Sequence, residues 1–300
     1  MDRTEFLARR RSGIGGSDIG AICGVSPWRS PLDVYYDKIE ELPASENNTP
    51  FPTGENKALY WGAVHEAAIA EAYTVVTGRK LMRYNRLLVH SKYAWLIGDV
   101  DRLAWCADGT RPFNAKTGEV HTDTGIEIKT ARFKSEEWGD EGSDNIPLSY
   151  FFQVQWYMEN LPTVQRFEIP ALFGGSDLQI FIVHRDDALI AKLIEIGDDF
   201  WNNHVLAHVP PPPRSYEEVK RLHPEAAVER MTASAELEAD IRELARIIAL
   251  RKSAEAAEAE QKLKVAEQMA SAELAEMPDG TPLATFKTTK KGRVLTVKVK

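Results

Sequence analysis

Only two cysteines occur in the 300 residues, Cys23 and Cys106, far apart and outside any Cys-x-x-Cys pair. That excludes a disulfide framework, a structural zinc site of paired cysteines and a cysteine-held iron–sulfur cluster. No run approaches the ~18 consecutive apolar residues of a membrane-spanning helix. Residues 1–11 are polar and basic with no apolar run behind them, so no secretory signal is expected. These absences predict a reduced, cytoplasmic protein. A surplus of positive charge is missing as well, the formal net charge being −8. For a nucleic-acid binder the distribution matters more than the sum. Positive charge gathers at Arg9, Arg10 and Arg11, at 79–86, and at the C-terminal end. There Lys287, Lys290, Lys291, Arg293, Lys298 and Lys300 meet no acidic residue after Thr281. These stretches are candidates for phosphate contact, set against the plainer reading of solvated faces.

What is present is an ordinary globular composition, 43% hydrophobic and 27% charged. A glycine-rich loop at 13–24 contains Gly-Ile-Gly-Gly-Ser-Asp-Ile-Gly, with Ser17 or Asp18 placed to cap a short helix. A second short helix is expected after Pro31, and 43–55 reads as a loop. Helical spacing of Leu59, Ala63, Ile69, Ala70, Tyr73 and Val76 predicts a helix over 56–77, stopped by Gly78. Strands are expected at 86–90, 94–105 and 125–131, then a helix over 147–160 with Pro147 in its first turn. Strands at 164–173 and 178–183 flank Gly174-Gly175 as a hairpin, and a helix over 186–204 follows. This order predicts an α/β (α+β) fold, a mixed sheet flanked by helices.

Four consecutive prolines at 210–213 mark a boundary, since they continue neither a helix nor a central strand. The expected domains are therefore 1–209, a Pro-rich linker over 210–231, and a helical arm plus basic β-hairpin over 232–300. The arm, 232–277, contains no Gly or Pro. It reads either as one helix of roughly 65 Å at ~1.5 Å per residue or as a helical hairpin with an unmarked turn. Leu237, Ile241, Leu244 and Ile248 form an apolar stripe that lapses into alanine over 251–261, which suits a packing arm better than a coiled coil. Segments 283–287 and 293–298 read as the terminal hairpin.

The chemistry concentrates in Glu127-Ile128-Lys129. Side chains alternate across a strand, so Glu127 and Lys129 share one face while Ile126 and Ile128 enter the core. Asp99 and Asp101 share a face of the preceding strand. If the two strands pair, Asp101 meets Glu127 across the ladder. Two carboxylates so placed repel unless a cation lies between them, and Mg²⁺ or Mn²⁺ suits oxygen ligands. Glu66 shares a helix face with Gly62, Ile69 and Tyr73 and reaches toward the same point. Taken as bare spacing, the plainer reading is a surface ion pair of Glu127 with Lys129. The seven tryptophans read as packing residues, with Trp138, in the loop after the candidate strand, as the exception expected to stack on DNA.

Arg11-x-Gly13 with Ser17-Asp18, Gly62-x-x-x-Glu66, Asp101, Glu127-Ile128-Lys129 and Gln153-Val154-Gln155 follow one another in an order that resembles a family. They are similar to the YqaJ-type viral recombinase nucleases, relatives of phage lambda exonuclease within the PD-(D/E)xK superfamily, over about residues 9–205. The resemblance implies a restriction-endonuclease-like core and a metal-dependent exonuclease acting on linear double-stranded DNA, 5′-to-3′, in phage-type recombination. It implies that Asp101, Glu127 and the Ile128 carbonyl ligate metal, with Glu66 serving a second ion or the water and His65 an alternative ligand. Lys129 would position the attacking water, Gln153 would orient active-site groups or bind DNA, and Arg11 and Ser17 would hold a 5′-phosphate. Two Mg²⁺ or Mn²⁺ ions ~3.5–4 Å apart would activate the water and stabilise the leaving oxygen. A homo-oligomer, a trimer by resemblance, and a single-strand annealing partner are implied as well. Arg102 stands where many relatives have glycine. Two other readings stay open: a non-catalytic DNA-binding or assembly module, and an endonuclease of the same superfamily.

Overall fold

Glycine and proline punctuate the chain where its elements change. The structure, a computed structural model, describes residues 9–39, 57–226 and 230–298. The loop expected at 43–55 lies outside them, as does Lys300. The chain forms two compact units that divide after Pro224.

In the first unit, α1 (Gly16–Ile22), α2 (Pro31–Ile39) and α3 (Lys57–Thr77) precede the sheet. Gly78 ends α3 with a φ of 70°, a conformation that only glycine adopts cheaply. The strands are β1 (Leu81–Arg83), β2 (Leu88–Val89), β3 (Ile97–Gly98), β4 (Arg102–Ala104), β5 (Thr124–Ile126) and β6 (Lys129–Ala131). After α4 (Leu148–Asn160) come β7 (Arg166–Phe173) and β8 (Asp177–His184), then α5 (Asp187–Phe200), a π-helical turn to Leu206 and α6 (Tyr216–Leu222). β1, β4 and β5 pair antiparallel. β5 and β6 both run parallel to β7, and β8 returns antiparallel on its other edge. Gly174 and Gly175, at φ 58° and 78°, make the tight turn between β7 and β8. This is the mixed sheet flanked by helices that the element order predicts.

The strand expected over 94–105 is two short strands in different sheets. β3 pairs with β2 in a separate ladder, and β4 joins the main sheet. The chain changes partners across residues 99–101, where two aspartates leave the ladder. β1 escapes sequence reading because it lies in a stretch conspicuous for its charge. Pro147 is the N-cap of α4 and precedes its first turn.

One sheet face packs on α4, where Leu103, Val154, Tyr157, Met158, Phe167 and Ile169 are buried together. The other packs on α3 through Tyr73, Ala104 and Ile126. Each such large side chain contributes about 1.5–3 kcal/mol by leaving water. A further core joins α1, α2 and α5 around Ile19, Leu32, Val34, Leu193 and Trp156. The Trp156 indole N–H donates to the carbonyls of Ile14 and Ile97 at 3.0 and 3.1 Å, tying the glycine-rich loop to β3. Beyond the prolines, α6 stays with this unit: Arg221 pairs with Asp33 at 2.9 Å and lies 4.0 Å over the Tyr36 ring.

The second unit opens with α7 (Ala235–Met269), a single 35-residue helix capped by Ser234, so the helical-hairpin alternative falls away. Ile241, Leu244 and Ile248 of its stripe are exposed. The helix ends at Ala270, φ 45°, ahead of the expected 277. Arg293 holds that turn by donating to the Ala270, Ala272 and Phe286 carbonyls. Its guanidinium therefore serves the fold. β9 (Leu274–Glu276), β10 (Pro282–Thr289) and β11 (Gly292–Val297) form an antiparallel sheet that includes the expected hairpin.

Candidate active site

The site lies where β4 and β5 part. Arg102 faces Ile126 as a ladder pair, so Asp101, just before β4, and Glu127, just after β5, emerge at the same end. Backbone alternation then sets the hydrogen bonds. Glu127 N–H donates to the Glu168 carbonyl on the β7 side at 3.2 Å. The next N–H, that of Ile128, points the opposite way, and the Asp101 carboxylate accepts it at 2.8 Å. The register along β7 stays continuous, Ile126 opposite Glu168 and Lys129 opposite Ala171. Hence Glu127 and Lys129 share a face, and the Lys129 ammonium lies 2.7 Å from Glu127 Oε1.

α4 supplies the floor. Gln153 Nε2 donates to Glu127 Oε1 at 2.7 Å and to the Tyr157 hydroxyl at 2.9 Å, while its Oε1 accepts from Lys129 at 3.0 Å. The Lys129 ammonium sits 4.4 Å from the Tyr150 ring centroid. Gln155, on the opposite side of α4, binds the His184 carbonyl and the Asp186 N–H and so anchors the helix. Glu127 is buried, and its Oε2 has no hydrogen-bond partner among the described residues.

Burial, reinforced by the Glu127 charge, pushes the Asp101 carboxyl up to about 8. Burial and the neighbouring Asp101 raise Asp99 to about 6. Burial raises Glu127 too, against the pull of Lys129. Burial would lower Lys129, but Glu127 and Asp101 outweigh it and hold the ammonium above its ordinary value. Lys129 is thus a fixed positive charge and a poor base.

Glu66 approaches from α3, on the other side of the sheet, and its charge raises Asp99, Asp101 and Glu127. Its Oε1 is taken by Arg102 at 2.5 Å, with Arg83 at 3.8 Å. His65 stacks on Trp61. Among the described residues no three His, Cys, Asp or Glu side chains gather closely enough to form a metal-binding group. The Glu66 carboxylate is held by Arg102 instead. Asp101 and Glu127 nevertheless fit a hard divalent cation. Asp101, half-buried, and Glu127, buried, are oxygen donors with too little positive charge beside them, and one Glu127 oxygen is unpartnered among the described residues.

The 5′-phosphate candidates separate. Ser17 is exposed and accepts from Arg10 at 2.7 Å, while Arg11 pairs with Asp37 at 3.4 Å. Arg10 also lowers Asp99 and Asp18, and three adjacent arginines gave no signal as to which one turns inward. The glycines serve packing: a Cβ on Gly16 would meet the Tyr157 ring at 2.5 Å and Gln153 Cγ at 2.9 Å. Asp18 is more than a cap. It accepts from Gly15 N–H at 3.0 Å, Arg29 at 2.8 Å and the buried Lys38 at 2.7 Å. Trp138, expected to stack on DNA, is buried against Tyr150, Phe173 and Phe181. The residue after it, Gly139, takes the Asn145 carbonyl, which folds the loop inward.

Residues 5–160 match the model of the YqaJ-like viral recombinase domain. The uncharacterized protein YqaJ of Bacillus subtilis (strain 168) is 32% identical over 208 residues, covering 69% of this chain and 57% of that protein. The chain thus spans little more than half the length of this relative. Among solved structures, the alkaline exonuclease LHK-Exo of Laribacter hongkongensis aligns with a TM-score of 0.47 at 16% identity, over 73% of this chain and 97% of that one. A phage-related exonuclease of Haemophilus somnus 129PT aligns with a TM-score of 0.40 at 11% identity, over 65% and 96%. By sequence, this chain belongs to the YqaJ-like viral recombinase domain family.

Proposed function

We propose that the chain is a metal-dependent exonuclease that hydrolyses linear double-stranded DNA from a 5′ end during recombination. The observation that carries this reading is the half-buried Asp101 and the buried Glu127 brought together beside Lys129, with one Glu127 oxygen unpartnered among the described residues. Asp101, Glu127 and the Ile128 carbonyl would hold Mg²⁺ or Mn²⁺, and Glu66 would serve a second ion once released from Arg102. Such cations supply the Lewis acidity that makes bound water a nucleophile and takes charge from the leaving 3′-oxygen. Lys129 contributes a fixed ammonium against the charge that builds on the phosphorus. Gln153 keeps Glu127 and Lys129 in register by binding both. Tyr150 floors the ammonium, so Lys129 meets the phosphate in one orientation. Ser17 and Arg10, with Arg11 behind them, are the candidates for the 5′-phosphate. A ring-like homo-oligomer and a single-strand annealing partner belong to the same reading.

Linear duplex with phosphorylated or unphosphorylated 5′ ends, and closed circular duplex, would be incubated with Mg²⁺ or with chelator. Digestion of the linear forms alone, faster on the phosphorylated end, abolished by chelator and by Lys129→Ala, is the expected result. Cutting of the circle would make the protein an endonuclease. No cleavage of any substrate by the wild-type chain would leave a DNA-binding module.

A further inference from the structure

The Tyr150 ring that carries Lys129 also carries Trp28, with ring centroids 5.8 Å apart and planes inclined by 26°. Trp28 is 67% exposed, a large apolar ring held out into solvent beside the candidate site. Hydrogen bonds and a glycine turn fix its loop: Gly24 has φ 76°, Ser26 Oγ accepts the Trp28 N–H at 3.3 Å, and Asp33 accepts the Ser30 N–H at 2.9 Å. This loop walls a cavity of about 300 Å³ lined by Ser26, Trp28, Arg29, Ser30 and Arg214, among others.

The charges in this cavity are unequal. Arg29 is committed to Asp18 and Asp37. Asp33, also in the wall, is paired with Arg221 and accepts hydrogen bonds from the Ser30 N–H and hydroxyl. The Arg214 guanidinium packs against Gly24, where an added Cβ would fall 1.8 Å from Nη1, and pairs with no carboxylate among the described residues. Arg214 follows the four prolines and lies beyond the family-matched residues 5–160. It is therefore a feature of this chain that the family match does not account for.

We propose that this cavity is a nucleotide subsite for the DNA strand beside the scissile phosphate, Trp28 stacking on a base and Arg214 binding a phosphate. An exposed aromatic face is sequence-tolerant toward bases, and an uncommitted guanidinium recognises phosphate oxygens in pairs. The subsite rests on the nuclease reading, which supplies the DNA. It couples to the site through Tyr150, since a base on Trp28 extends the stack whose other member supports Lys129.

The test is equilibrium binding of a fluorescent linear duplex to the full chain in chelator, so that no cleavage intervenes, with Mg²⁺-dependent cleavage by the wild type measured on the same preparation. Trp28→Ala weakens binding by on the order of 10-fold, and Trp28→Phe restores most of it because a stacking face returns. Arg214→Ala weakens binding and lowers the slope of log K against log salt by about one. Binding by either alanine variant that is indistinguishable from wild type, while the wild type cleaves, overturns the subsite and leaves the nuclease intact. A wild type that neither binds nor cleaves overturns the nuclease reading itself.

Discussion

Asp101 takes the Ile128 N–H at 2.8 Å, standing in for the carbonyl of a neighbouring strand at the point where β4 turns away. The same carboxylate is raised from 3.8 to about 8, first by burial and then by Glu127. Between these values the folded chain keeps a proton that the unfolded chain has released, so stability falls as pH rises through the window. Chelator-treated protein is expected to lose Tm steadily from pH about 4 to about 8, with Asp99, raised to about 6, adding in the same direction. Asp101→Asn keeps an oxygen for the Ile128 N–H and flattens this dependence. Mg²⁺ restores the wild-type Tm at the alkaline end. A variant whose Tm tracks the wild type at every pH would remove Asp101 from this role.

Asp18 behaves oppositely. Burial pushes its carboxyl up, but Lys38, Arg29 and Arg10 outweigh burial and bring it down to about 2. Its contribution is complete above its unfolded value of 3.8 and disappears as pH falls toward 2. Asp18→Asn leaves the buried Lys38 ammonium short of its countercharge and is expected to cost about 3–5 kcal/mol in urea unfolding. A loss within the noise of surface substitutions would mean that Asp37 suffices as partner.

Arg102→Ala releases Glu66 toward the carboxylate pair. The Mg²⁺ concentration for half-maximal cleavage is then expected to fall, because a hard cation replaces the guanidinium as partner of the Glu66 carboxylate. An unchanged or higher requirement would show that Glu66 does not serve the cation.

Gly16→Ala drives a methyl group into Tyr157 and Gln153, at 2.5 and 2.9 Å. Overpacking of this kind costs about 1–3 kcal/mol. Because Gln153 holds both Glu127 and Lys129, the cleavage rate falls as well. Thermal melts and initial rates on one preparation would check both. A lower Tm with a wild-type rate would mean that Gln153 does not position the pair.

The sequence displayed the Glu127–Lys129 face because strand alternation is a local property, and the order of helices and strands because apolar periodicity and glycine stops are local too. It concealed the break in the strand over 94–105, which arises when neighbouring segments compete for the same backbone. It concealed the Arg102–Glu66 pair, which needs α3 and β4 to be neighbours in space. Trp138 was misread because exposure follows from how a loop folds back, here toward Phe173 and Phe181. Arg10 and Arg11 are equivalent in composition, and only the turn of backbone that carries them decides which one meets Ser17.

Because Asp101 and Glu127 flank the same end of the β4–β5 ladder, the excursion that joins these strands leaves and returns at the far end. Its length has no bearing on the gap between the two acids. Insertions there should be tolerated between relatives, so a search pattern with a fixed interval between these acids would overlook true members. The informative constraint is the pairing of Arg102 with Ile126, and a fusion tag or affinity loop placed in the exposed turn 107–111 would leave that pairing intact.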